Sequence, residues 1–202
     1  MARPQKFDRT EAVKAAMETI WKDGYEHSSV KHLSEVLGMT RSSFYNAFGS
    51  REALFRETME PYSAQAPAAR LVAEGEAPIL PLIAEVVRDT CCRICADPDG
   101  RGCMIQNTVN ALCPDKTNEG LGADLADTVL SAIGLIEGLL VTAKERGELP
   151  ESANSRVLAL AVQNLLMGLN TLGKVVRDPD DLWQLAGATL EGLGLTPQSK
   201  KT

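Results

Sequence analysis

The chain has 202 residues, 44% of them hydrophobic but only 4% aromatic, with a formal charge of −6. The length allows one large domain or two unequal ones, and the dominance of Ala, Leu and Gly over runs of Val, Ile and Thr favours packed helices over sheets. Residues 1–60 carry nine Lys/Arg and nine Asp/Glu, so the whole negative balance falls on residues 61–202; duplex DNA is repelled by the second part and tolerated by the first.

No run of about 18 apolar residues is evident, so no membrane span is expected. The opening MARPQKFDRTEAVKAA has early positive charge without the apolar stretch of a signal peptide. Five cysteines is an odd count, and Cys91, Cys92 and Cys95 crowd into one predicted helix. Free thiols in a reducing cytoplasm are therefore expected rather than a disulfide framework.

In chain order, Val13, Ala16, Met17, Ile20 and Trp21 form one helical stripe over residues 9–23. Asp8 or Thr10 is the expected cap and Gly24 the stop. A second helix starts after Ser28 or Ser29, turns Val30, Leu33 and Leu37 inward and stops at Gly38. A third runs from Thr40 to about Ala47, with Met39, Phe44 and Phe48 toward the core. Ser50 caps a fourth, which holds Ala53, Leu54 and Met59. Residues 61–77, with Pro61 and Pro67, read as a partly helical connector. Further helices are expected from Pro78 to Ala96, Cys103 to Leu112, Gly120 to Arg146, Ser155 to Val176 and Asp180 to Leu193, with a polar tail. The expectation is an all-α chain: a helix-turn-helix headpiece (1–60), a connector (61–77), a larger helical effector-binding and dimerisation domain (78–195) and a tail (196–202).

The stretch LSEVLGMTRSSFYNAFGSR, Leu33–Arg51, carries the chemistry. Two short helices joined at Gly38, the second capped by Thr40, have the layout of a DNA reader. A helix enters a major groove only if its outward side chains are short or able to address base edges. Arg41 suits a guanine edge, Asn46 an adenine, and Ser42 and Ser43 either bases or phosphates. Thr40 at the helix start suits a phosphate. Tyr45 points outward beside inward Phe44, and Ser29 and Arg51 are further phosphate candidates. The alternative is that these residues only solvate a bundle, making the chain a protein-interaction adaptor. No Ser/His/Asp set, HExxH, GxGxxG or Walker loop is present, so no enzyme activity and no cofactor are expected.

Gly24-Tyr25, Ser28-Ser29-Val30, Leu37 through Tyr45 and Phe48 through Phe55 together resemble the headpiece of TetR-family transcriptional regulators. The resemblance covers about a quarter of the chain. It implies an all-helical homodimer, usually a repressor, released from a palindromic operator by a small molecule, with Thr40–Asn46 as recognition helix. Phe44 stands where Leu is common and Asn46 where His is common, departures that bear on which operator is read.

Gly102-Cys103-Met104-Ile105-Gln106-Asn107, followed by Cys113, resembles the segment of family members that sense electrophiles or oxidants through the first cysteine. Lys174 falls where such members carry a lysine. The start of a helix and the neighbouring Arg101 favour the thiolate of Cys103, the form that oxidants attack; burial as a small core residue is the competing reading. Cys103, Gln106, Asn107 and Lys174 are thus the effector or redox candidates. A soft-metal site on Cys91, Cys92, Cys95 and Cys103 is the weaker reading, because no second pair stands at zinc-finger spacing. Gly134 and Gly138 permit either close helix approach or ligand space. Leu158, Ala161, Val162, Leu165, Leu166, Leu169 and Leu172 wrap more than one face of their helix, and Leu182, Leu185, Ala186, Leu190 and Leu193 add a stripe. Such a surplus asks for a symmetric partner.

Overall fold

The computed structural model describes residues 8–73, 78–112 and 120–196. The described residues hold ten α-helices, one short 3-10 turn and no strand: α1 Arg9–Asp23, α2 Val30–Val36, α3 Arg41–Phe48, α4 Arg51–Ala64, the 3-10 turn Pro67–Ala69, α5 Arg70–Ala73, α6 Ile79–Ala96, α7 Met104–Leu112, α8 Leu121–Glu145, α9 Ser155–Leu172 and α10 Pro179–Gly192. They fall into two compact units, one within residues 1–65 and 104–122, the other within 66–103 and 123–202.

In the first unit every helix of the headpiece starts on a side-chain cap. Asp8 accepts from the amides of Thr10 and Glu11, Ser29 from His32, Thr40 from Ser43 and Ser50 from Ala53. Each cap satisfies an amide that the helix itself leaves orphaned. Gly24, Gly38 and Gly49 reverse the chain with positive φ of 84°, 63° and 74°, a region that costs glycine nothing. Ile20, Leu33, Phe44, Leu54 and Phe55 fill the interior. Met39 is only half-buried. Trp21 is half-buried too, packed edge-on against Tyr62 with centroids 5.2 Å apart.

α4 runs through Pro61 to Ala64, beyond where a proline predicts an end. The missing amide is tolerated because Tyr62, one residue on, is buried and anchors the last turn. The Gln65 side chain donates to the Pro61 carbonyl at 2.9 Å, satisfying an end group. α7 belongs to this unit. Its first amide, Met104 N–H, donates to the Tyr62 hydroxyl at 3.0 Å.

The second unit packs α6, α8, α9 and α10 around a core that includes Val87, Cys91, Ile136, Leu140, Ala159, Leu169 and Ala186. Pro78 offers α6 no side-chain cap. Glu148 supplies one from afar: its two carboxylate oxygens accept from Ile79 N–H at 3.0 Å and Leu80 N–H at 2.9 Å. Arg70 of α5 bridges to Glu85 and Asp89 of α6, and Arg156 of α9 to Glu137 of α8. Arg177 donates to the carbonyls of Gly173, Cys95 and Asp97, tying the end of α9 to the end of α6.

α9 ends at Leu172, short of the expected Val176. After it the backbone tightens to three-residue bonds, Lys174 N–H to Thr171 O and Val175 N–H to Leu172 O, while Arg177 takes the carbonyl of Gly173. α8 corrects another expectation. Over 18 residues its mean hydropathy is 1.7, with 28% of the window buried, so by length and composition it is apolar enough to cross a membrane. Interspersed Gly, Ala, Ser and Thr hide this from a search for an unbroken apolar run. Ile133, Ile136, Leu140 and Ala143 place one stripe of α8 in the core of this unit. Gly134 and Gly138 are exposed, and a Cβ at either would meet nothing within 4 Å, so neither serves close approach to another helix among the described residues.

Gly173 is the tightest glycine of the unit: a Cβ there would collide with Ile94 Cγ2 and come within 3.0 Å of the Leu169 carbonyl. Gly173→Ala gains about 0.4–1 kcal/mol by restricting the unfolded chain but forces the buried Ile94 out of place, an overpacking cost of about 1–3 kcal/mol. The expected result is a net loss of stability, read as a lower urea midpoint with unchanged m-value.

Candidate nucleic-acid interface

α2 and α3 are joined by a turn in which Gly38 N–H bonds to the Glu35 carbonyl and Met39 N–H to that of Ser34, at 3.2 and 2.9 Å. Gly38 adopts the left-handed conformation that ends α2. Thr40 then accepts from Ser43 N–H at 3.1 Å, and its hydroxyl lies 2.9 Å from that of Ser43. Phe44 and Phe48 are buried on one side of α3, their rings 5.4 Å apart. The opposite side is open: Arg41, Ser42, Ser43, Tyr45 and Asn46 are all exposed. Tyr45 is 52% exposed, its ring edge-on to Phe44 at 5.9 Å, which aims the phenol away from the core.

Two of the predicted phosphate contacts have structural partners as well. The Ser29 hydroxyl caps α2 through His32 N–H at 3.2 Å. Arg51 lies over the Tyr25 ring at 4.0 Å and donates to the Tyr25 carbonyl at 3.3 Å. Burial raises the Tyr25 phenol above its ordinary range, and the Arg51 charge opposes that. Arg51 therefore fixes the loop between α1 and α2 beside any contact it makes outward. Sequence reasoning missed Arg9, which bonds to Glu57 and to the Ala47 carbonyl at the end of α3. Its partners lie 38 and 48 residues away, so no local pattern announces them.

Of the effector candidates, Cys103 is half-buried and immediately precedes α7, and Gln106 and Asn107 are half-buried on α7. Gly102, at φ 68°, is pressed against α9: a Cβ there would lie 2.9 Å from the Asn170 carbonyl and from Lys174 Cε. The fold thus brings Lys174 to the residue before Cys103. Arg101 does not keep its charge for the cysteine. It pairs with Asp97 at 3.1 Å, and its backbone N–H donates to the same carboxylate. Burial works to raise the Asp97 carboxyl, but these hydrogen bonds outweigh it and hold it below its ordinary value.

Cys91 is fully buried, Cys92 exposed and Cys95 half-buried; Cys113 lies outside the described residues. Among the described residues no group of three or more His, Cys, Asp or Glu is placed to hold a metal ion. α6 turns Cys91 into the core instead.

The family model of bacterial regulatory proteins, tetR family, matches residues 12–58, which span α1 to α4. The chain is 28% identical over 195 residues to the HTH-type transcriptional repressor ComR of Escherichia coli K12, covering 93% of this chain and 90% of that one. It superposes with a TM-score of 0.81 on a cysteine-substituted variant of the TetR-family regulator CifR complexed with 26-bp double-strand operator DNA, at 29% identity, over 94% of this chain and 98% of that one. Residues 12–58 carry the headpiece of the tetR family, and the chain is similar to a TetR-family transcriptional regulator over nearly its whole length. The matched family and these relatives are transcriptional regulators, not enzymes. The reduced form of Escherichia coli NemR shares the fold, with a TM-score of 0.76 at 19% identity over 95% of this chain and 99% of that one.

The cysteines of this chain differ in readiness to react. Burial, with neighbouring Cys92 and Cys95 adding to it, pushes the Cys91 thiol up to about 11. At pH 8 only about one Cys91 in a thousand is thiolate, the reactive form. Iodoacetamide at pH 8 should therefore label Cys92 and leave Cys91 untouched in the folded protein. Peptide mass spectrometry with and without denaturant checks this.

Proposed function

We propose that this regulator is a homodimeric repressor that binds a palindromic operator through α3 and leaves it when an effector acts on the helical part of the chain. The observation that carries the reading is the form of α3: capped at Thr40, pinned from below by Phe44 and Phe48, and presenting Arg41, Ser42, Ser43, Tyr45 and Asn46 on one exposed side. A helix so armed fits a major groove, with Arg41 and Asn46 on base edges and Ser29, Thr40, Tyr45 and Arg51 on the backbone. The operator complex of CifR, a relative of the same fold, supports this assignment. In this reading residues 1–60 bind DNA, 61–77 connect, and 78–195 bind effector and partner, and the protein works in the cytoplasm.

A second copy is supported by an open groove of about 320 Å³ between α9 and α10, lined by Leu165, Gly168, Leu172, Leu185, Thr189 and Leu193 among others. Val157, Leu160 and Leu185 are exposed on the same pair of helices. Two such pairs related by a two-fold axis make a four-helix interface that covers this apolar surface. The dimer then presents two recognition helices to half-sites about one helical turn apart.

Release works by a small molecule in the helical domain or by modification of Cys103 by an oxidant or electrophile, with Gln106, Asn107 and Lys174 as the further candidates. Lys174 packs against Gly102, the residue before Cys103. Either event shifts the protein only by binding or modifying one helix arrangement in preference to the other.

Arg41→Ala should weaken operator binding by about 1–3 kcal/mol and relax base choice at one position of each half-site, measured by gel shift on operator variants. Equally tight and equally selective binding would remove Arg41 from the base-reading set. If Cys103 is the sensing group, Cys103→Ser should stay on DNA after mild peroxide while the parent dissociates. Equal release would assign sensing to occupancy of a pocket.

A further inference from the structure

Arg9 opens α1, and its guanidinium is engaged on every side that faces the protein. Nε and Nη2 donate to the two carboxylate oxygens of Glu57 on α4, at 3.0 and 2.6 Å. Nη1 donates to the carbonyl of Ala47 at 2.7 Å. Its Cζ lies 5.0 Å from the centroid of the Phe48 ring. Ala47 and Phe48 are the last two residues of α3, and Asn46 immediately precedes them.

A helix leaves its last carbonyls without internal partners and carries the negative end of its dipole there. Arg9 supplies both a donor and a positive charge at that end. Glu57 fixes the plane of the guanidinium through a two-point bond, so Arg9 is a strut between α4 and the last turn of α3. The arginine side chain is 49% exposed and that of Glu57 34%, and an ion pair so open to water adds little to stability. What the arrangement does supply is position. A helix of eight residues is too short to hold its own last turn, and a side chain that reads a base edge must be placed to within about 0.5 Å.

We propose that Arg9 is a positioning residue for base reading: with Glu57 it fixes the last turn of α3 and so the reach of Asn46. This rests on the reading of α3 as the operator-recognition helix. Arg9 acts through Asn46 and carries no base contact of its own.

The test uses the full-length protein and duplexes that the parent protein selects from a random-sequence pool, with each base pair of the selected site then replaced in turn. Asn46→Ala marks the positions where Asn46 discriminates. Arg9→Gln should lower discrimination at those same positions by about tenfold or more. Discrimination elsewhere should be kept, and the slope of log affinity against log salt should not change. The double variant Arg9→Gln/Asn46→Ala should discriminate no worse there than Asn46→Ala. Arg9→Lys, which keeps the charge without the fork, should recover only part of the loss.

A salt slope smaller by about one with discrimination intact makes Arg9 a phosphate contact and overturns the proposal. Uniform weakening across the panel, the mark of a merely structural role, overturns it too, as does an Asn46→Ala protein with undiminished discrimination. If circular dichroism finds Arg9→Gln unfolded, Glu57→Gln carries the same test: a loss confined to the Asn46 positions supports the strut and unchanged discrimination refutes it. A parent protein that selects no sequence from the pool brings down the operator reading itself, and this proposal with it.

Discussion

An eight-residue helix does not persist in water by itself, because its nucleus costs more than so few hydrogen bonds return. α3 exists because its surroundings hold it at both ends and along one side. Thr40 satisfies the first turn, Phe44 and Phe48 are sunk into the headpiece, and Arg9 takes a carbonyl of the last turn. This constraint decides what the exposed side is free to do. None of the anchoring falls to Arg41, Ser42, Tyr45 or Asn46, so those positions are available to a partner without loss of the fold. The helix is short enough to fit a groove and rigid enough to be read against one.

The same division of labour explains the uneven charge. The headpiece is balanced overall, and two of its nine cations, Arg9 and Arg51, are largely occupied with holding loops and helix ends. The acidic excess falls on residues 61–202, a charge balance that repels a duplex. There the charged residues mostly join elements: Arg70 to α6, Arg156 to α8, and Arg177 across the ends of α6 and α9. Beneath them lies an aliphatic core that any sufficiently packed set of Leu, Ile, Val and Ala could form.

The headpiece was readable from the sequence because its determinants are local. A cap, a left-handed glycine and a stripe of apolar residues each announce themselves within one or two turns, and Ser29, Thr40 and Ser50 are caps for that reason. Helix ends set by distant groups were not readable. α9 stops before Val176, where Arg177 reaches the carbonyl of Cys95 across the unit, and α4 continues past Pro61 with Tyr62 buried beyond it. Arg101 was assigned to Cys103 by adjacency, yet its partner is Asp97, four residues back across a turn. The exposed side of α3 was legible as a list of residue types. Which of them also hold the fold, as Arg51 does through Tyr25, required coordinates.

The cap that Glu148 places on α6 has a bearing on how the chain is made. Ile79 and Leu80 stand 69 and 68 residues before the carboxylate that accepts their amide hydrogens. During synthesis those two peptide groups cannot reach this partner until the segment after α8 has emerged from the ribosome. The cap on α6 is therefore completed by a residue that the ribosome adds long after the helix itself.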